Sequence, residues 1–212
     1  KILPVRVLGK CGGTFEDVLE GMLWASGVPI GGVPPNPNPA KVINLSLGGY
    51  GTCAAAIQEA VDEALAQGTV IVASAGNESD DAMNYAPGNC SGVINVGALS
   101  RGGDRAGYSN WGRRVDVSAP GGDIDDDGQI LSTHYTGSST PGEPTYERGI
   151  GTSFAAPLVS GTLSLMLARN PNLTPGQALS ILQGTSRDFP AGSPCAIGAF
   201  CGIGMLDAGF AV

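Results

Sequence analysis

Three short apolar runs, VINLSL at 42–47, TVIVASA at 69–75 and GVINVGAL at 92–99, constrain this chain more than any other feature. Each is too short for a stable helix and too continuously apolar to keep one face wet. That pattern belongs to a strand buried on both sides, as in a parallel sheet. Between the first two runs, Ala56, Ile57, Ala60, Val61, Ala64 and Leu65 form one continuous helical face, and Gly68 sits where a helix C-terminal glycine belongs. Strand–helix–strand order places the crossover helix on the face of a parallel sheet. The expected fold class is α/β, a three-layer αβα arrangement with a mostly parallel sheet, in a single domain over residues 1–212.

The flanks extend this plan. Ile2–Leu8 reads as a further buried strand. Thr14, followed by Glu16 and Asp17, opens a helix that keeps Phe15, Val18, Leu19 and Met22 in register and ends near Gly27. The Pro-, Gly- and Asn-rich stretch 27–41 is a loop. Val115–Ala119 predicts another strand, and Phe154–Arg169 a helix with small and apolar residues on every face, hence a buried one. Thr174-Pro-Gly-Gln177 is a capping box with proline at the first helical position, opening a helix that ends near Gly184. No repeat, heptad pattern or interdomain linker interrupts the chain.

Composition narrows the partners. A hydrophobic content of 42% suits a packed core, and a net charge of −8 without any basic run excludes nucleic acid and anionic membrane surfaces as expected partners. No apolar stretch approaches the roughly 18 residues of a bilayer span. The N-terminus lacks the long apolar run of a signal peptide. A buried strand at residue 1 instead suggests part of a longer chain. The five cysteines, Cys11, Cys53, Cys90, Cys195 and Cys201, lack zinc-ligand spacing, and a single His cannot complete the usual sites. Few lysines and an acidic balance favour an exported protein in which disulfides form; a cytosolic protein with buried thiols is the alternative.

In parallel α/β sheets, ligands bind at the carboxyl ends of the strands. Two strands here run into polar and glycine residues, at Ser46-Leu47-Gly48-Gly49 and at Ser74-Ala75-Gly76-Asn77-Glu78. A third stretch, GIGTSFAAPLVSG at 149–161, puts Ser153 at the mouth of a helix. Gly149 and Gly151 permit a sharp turn there, Ala155 and Ala156 permit close approach, and Pro157 is tolerated in the first turn. A serine at that place is ordinarily a helix cap. It can also project into a cleft from the positive end of the helix dipole, where developing negative charge is favoured.

GTSFAAPLVSG resembles the active-serine signature of the subtilisin-like serine proteases. VINLSLGG at 42–49 and VIVASAGNES at 70–79 match the same family in the same order, as does CGIGMLDAGFAV at the C-terminus. The resemblance implies a subtilisin-like fold and a serine endopeptidase acting on polypeptides, with Ser153 forming the acyl-enzyme and Asn77 donating to the oxyanion. It further implies that Ser46, Leu47 and Gly48 form one edge for an extended peptide, Gly12 and Gly13 the opposite edge, and Ala75 and Gly76 the primary pocket. The family places its aspartate and histidine upstream of the serine, in DTG-like and HGTHVAG-like motifs, and neither motif is present. The one histidine, His134, matches no family motif and reads as an ordinary strand or loop residue. KILPVRVLG matches the strand after the family's histidine helix. The chain is therefore expected to be the C-terminal portion of a protease domain, inactive by itself and completed by an upstream portion.

Asp123, Asp125 and Asp127, with Gly128, match the opening of a calcium loop, though the twelfth position is His134 and not the expected Glu. Structural calcium, which the resemblance makes more expected, stands against a merely solvated acidic loop; no organic cofactor is expected. Cys195 and Cys201 are expected to close a small loop. Cys53 and Cys90 are expected to bridge the wall of the cleft, leaving Cys11 odd. Two other readings stay open: a non-catalytic binding module that retains the cleft, and a generic α/β domain that binds a small ligand at its strand ends.

Overall fold

A computed structural model of the chain describes residues 1–124, 128–137, 140–198 and 200–212. Helix α1 spans Phe15–Ser26 and opens with the expected capping box: the Asp17 N–H donates to Thr14 Oγ1 at 3.1 Å, and the Thr14 N–H donates to Asp17 Oδ2 at 3.0 Å. It closes on Gly27 at φ 98°, a left-handed conformation suited to glycine. Then follow β1 (Val42–Leu45), β2 (Gly49–Tyr50), α2 (Ala55–Ala66), β3 (Val70–Ser74), β4 (Tyr85–Ala86), β5 (Ile94–Leu99) and β6 (Val117–Pro120). The remaining elements are β7 (Ile130–Tyr135), β8 (Pro144–Gly149), α3 (Thr152–Arg169), α4 (Pro175–Thr185), α5 (Pro194–Ile197) and α6 (Ala208–Ala211).

The central sheet is parallel throughout, in the order β1-β3-β5-β6. Side chains alternate across it, so one strand supplies two cores. Val70 and Val72 of β3 pack with Val96, Ala98 and Val117 against Ala155, Val159 and Leu163 of α3. Ile71 and Ala73 pack with Ile43 and Leu45 against Val18 and Met22 of α1 and Ile57, Val61 and Ala64 of α2. The result is the expected αβα sandwich. Its strands end together, which sets the loops after β1 and β3 beside the start of α3.

Two expectations fail. Residues 2–8 join no strand among the described residues: Ile2 is 95% exposed and Leu8 48%. Only Val5 and Val7 are half-buried, against the cluster that holds α1. Apolar side chains alone do not make a strand. The backbone needs a ladder partner, and the nearest bridge, just past this segment, joins Gly9 to Gly12 in a turn. Helix α3, in turn, is buried on its sheet face but not all round, since Leu158 and Leu165 are 41% and 56% exposed.

The antiparallel hairpin β7–β8 is an addition that sequence patterning did not suggest. Nearly all its side chains face solvent, so it carries no apolar alternation to read. His134 lies in β7 as an ordinary strand residue, with Nε2 2.9 Å from Glu147 Oε2 on β8. Both expected disulfides form: Cys53–Cys90 at a Cα separation of 5.2 Å and Cys195–Cys201 at 5.4 Å. Cys11 is free and exposed.

Candidate active site

Ser153 is the second residue of α3. The preceding Gly151 takes φ 146°, a backbone that disfavours any side chain, and its N–H donates to Gly121 O and Tyr108 Oη. The chain thereby turns sharply from β8 into α3 and delivers Ser153 to the helix mouth. First-turn amides of a helix lack intrahelical acceptors, so the Ser153 N–H is available to an incoming anion.

Ser153 and Ser46 hold each other across the cleft. Ser46 Oγ donates to Ser153 O at 2.8 Å, and Ser153 Oγ donates to Ser46 O at 3.3 Å. Strand β1 ends at Leu45, so Ser46, Leu47 and Gly48 leave the sheet just where the serine stands. Gly48 permits close packing, because a Cβ there would lie 2.9 Å from Ala86 O.

Asn77 follows β3 through Gly76, whose φ of 104° redirects the chain. Its Oδ1 accepts both the Thr152 N–H at 2.9 Å and the Thr152 hydroxyl at 3.0 Å. A backbone N–H can only donate, so this pair fixes the orientation of the amide and leaves its Nδ2 end free to donate. Thr152 is wholly buried, and its hydroxyl also accepts from Gly76 N at 3.2 Å. Asn77 and Ser153 are thus placed by adjacent residues of one helix turn, Thr152 orienting the amide and Ser153 standing next to it in sequence.

The loop that carries Asn77 is clamped from behind by Asn110, which is 1% exposed. Its Oδ1 accepts from Glu78 N and Asp80 N, both at 3.0 Å, and its Nδ2 donates to Ala75 O at 3.0 Å and Glu78 Oε2 at 2.9 Å. Further along, the Asp81 N–H, with the Asn84 amide, holds the Asp80 carboxyl below its usual range. Burial first, then the charge of Glu78, raises the Tyr85 phenol. Sequence reasoning missed Thr152, Asn110 and Tyr108. Their roles rest on contacts between distant positions, which no local spacing signals.

The other expected site residues are less uniform. Ala75 is fully buried with Ala82 and Val115, so its methyl group faces the core; only half-buried Gly76 reaches the cleft. Gly12 and Gly13 lie in the turn before α1, and the Phe15 ring at the start of that helix reaches Gly49. Asp123 Oδ2 accepts from Gly107 N at 3.0 Å and Oδ1 from Ile124 N at 2.7 Å. Each oxygen keeps a second lone pair, so Asp123 can fasten its loop and still offer a hard donor to calcium. Asp125 and Asp127 lie outside the described residues. A cavity of about 410 Å³ opens beside Asn77 and Gly151, walled by Tyr108, Asp123, Ile124 and Ile150.

An αβα protein with a serine at a helix mouth, facing a pinned asparagine amide, is the class that fold and site define. The chain belongs to the subtilase family, whose model matches residues 1–199. It is 43% identical over 213 residues to an extracellular protease of Xanthomonas campestris pv. campestris, covering all of this chain and 35% of that protein. To an extracellular basic protease of Dichelobacter nodosus it is 42% identical over 216 residues, covering all of this chain and 34% of that protein. Among solved structures, a protease of Pseudoalteromonas arctica PAMC 21717 superposes with a TM-score of 0.94 at 48% identity, covering 100% of this chain and 62% of the other. A cold adapted subtilisin-like serine proteinase gives a TM-score of 0.72 at 31% identity, covering 95% and 66%. The chain spans about a third of the length of these two extracellular proteases.

Proposed function

We propose that this chain is the nucleophile-bearing portion of an extracellular serine endopeptidase, with Ser153 as nucleophile and Asn77 as oxyanion donor. The observation that carries the reading is the orientation of Asn77: Thr152 takes both bonds at Oδ1, leaving Nδ2 to donate beside the Ser153 N–H. Ser153 Oγ attacks the peptide carbonyl while its proton passes to an imidazole supplied by an upstream portion, itself oriented by an aspartate. The carbonyl oxygen takes up charge between Asn77 Nδ2 and the Ser153 N–H. The C–N bond then breaks, the proton leaves with the amine, and water hydrolyses the serine ester.

An extended polypeptide lies along Ser46–Gly48, with Gly12 and Gly13 on its other side and Gly76 at its primary pocket. The exposed stripe of α3 at Pro157, Leu158 and Leu165 supports a covering upstream portion. So does the 62% coverage of the protease of Pseudoalteromonas arctica PAMC 21717. The names of the relatives and the two disulfides support an extracellular location. Among the described residues Ser153 Oγ donates to the Ser46 carbonyl and to no base, and His134 pairs with Glu147; both support the reading that the chain is inactive without an upstream portion.

A fluorophosphonate probe tests the reading. Ser153 should be labelled when the chain is expressed with its upstream portion and unlabelled when alone. An unlabelled Ser153 in the longer protein would favour a binding module that keeps the cleft without the chemistry. Calcium at Asp123, Asp125 and Asp127 is a separate proposal, checked by calorimetry. Heat on adding Ca²⁺ that is lost in Asp125→Ala supports it, and no heat in the parent removes the site.

A further inference from the structure

The polar contacts that hold Ser153 do not end at Ser46. Asn44, two residues earlier on β1, donates from Nδ2 to Ser46 Oγ at 2.9 Å. Its Oδ1 accepts the Ser160 hydroxyl at 2.9 Å, and that hydroxyl also lies 3.1 Å from Ala156 O in its own helix. Residues two apart on a strand share a face, and residues seven apart on a helix do too. Asn44 in β1 and Ser46 just past its end therefore meet Ser160 and Ser153 of α3 in two rungs.

Proton bookkeeping gives this track a direction. Ser46 Oγ has one proton and donates it to Ser153 O. A carbonyl can only accept, so that proton is committed to Ser153 O, and the end of the Asn44 amide that meets Ser46 Oγ is the donating Nδ2. With Nδ2 turned to Ser46, Asn44 presents Oδ1 to Ser160, whose single proton is shared between that oxygen at 2.9 Å and Ala156 O at 3.1 Å. We propose that Asn44 is a positioning residue for the nucleophile, acting through Ser46 and held at its far end by Ser160. This rests on the reading of Ser153 as nucleophile. Asn44→Asp is the diagnostic variant. It keeps the shape, but a carboxylate at the Ser46 end only accepts, so the Ser46 hydroxyl turns away from Ser153 O.

The experiment uses the enzyme expressed with its upstream portion, titrated with a fluorophosphonate and assayed on a peptide amide. Asn44→Asp should lower kcat about tenfold with KM changed less than about twofold, since positioning errors of this kind act on the transition state. Ser160→Ala should lose about threefold in kcat and Ser160→Thr, which restores a hydroxyl, should recover it. In a Ser46→Ala background Asn44→Asp should have no further effect, whereas a through-space effect of the new charge would persist there. An unchanged kcat in Asn44→Asp, or its full loss retained in the Ser46→Ala background, overturns the proposal. Failure of the parent enzyme to label at Ser153 overturns the nucleophile reading instead, and the positioning role with it.

Discussion

Two buried asparagines hold their surroundings in opposite ways. Asn110, 1% exposed, spends its side chain on four partners and ties down the loop of Asn77. Asn95, 0% exposed at the start of β5, has neither side-chain oxygen nor nitrogen paired among the described residues. Around Asn95 the connections run through other groups. Its N–H donates to Asp116 Oδ2 at 2.8 Å, and Arg114 pairs with that same oxygen at 2.8 Å. Arg114 also donates to Cys90 O and Val93 O, at 2.5 and 2.6 Å. Burial alone therefore does not make a polar residue important. What matters is which backbone groups would be stranded without it.

The largest expected effect follows from that rule. Asn110→Ala strands Glu78 N, Asp80 N and Ala75 O, and should cost about 3 kcal/mol in urea or thermal unfolding, at about 1 kcal/mol or more per orphaned group. In the assembled enzyme it should also slow labelling of Ser153, because the Asn77 loop loses its backing. Stability within experimental error of the parent would break the comparison at its stronger end.

Next comes Arg114→Ala, which frees two carbonyls and takes the cation from Asp116, whose Oδ2 keeps the Asn95 N–H. A loss of about 2 kcal/mol is expected, less than for a fully enclosed pair because both side chains retain some solvent contact. Asn95→Val is the counterpart on the silent side chain. It removes an unpaired amide and adds a β-branched residue to a strand, so stability should stay within about 1 kcal/mol of the parent or rise. A loss for Asn95→Val as large as that for Asn110→Ala would erase the distinction between the two regions.

The same contrast explains what could be read from sequence. Features set by neighbours in the chain were legible: the Thr14 and Thr174 caps, the glycines at 27 and 68, and the apolar strands β3 and β5. The placement of Ser153 at a helix mouth and of Asn77 beyond a strand end was equally local. The pairings of Cys53 with Cys90 and Cys195 with Cys201 were expected, but sequence spacing cannot set connectivity, and the geometry decided them. Features set by distant partners were not legible. Ile2–Leu8 has strand composition but no ladder, and the outer face of α3 is as apolar as its inner face yet lies exposed at Leu158 and Leu165. Thr152 reads as a helix-start residue, and only its contact with Asn77, 75 positions away, reveals that it orients the Asn77 amide.

The smallest effect is an acid one, and it sharpens the stronger region. The Asp80 carboxyl is held below its usual 3.8, first by the Asp81 N–H and then by the Asn84 side chain. A carboxyl with a depressed folded pKa contributes stability above its unfolded value and loses it as pH falls through the folded value. The contribution should therefore be intact at neutral pH and fade below about pH 4. Asp80 shares this loop with Asn110, which accepts the Asp80 N–H, so acid should loosen the outer bonds while the Asn110 clamp stays, its amide having no proton to gain. Amide signals of Asn84 and Tyr85 should shift below pH 4 while those of Glu78 and Asp80 keep their protection, and Asp80→Asn should flatten the shift. If all four amides lose protection together, the clamp and the carboxylate act as one unit, and the Asn77 loop rests on charge as well as on Asn110.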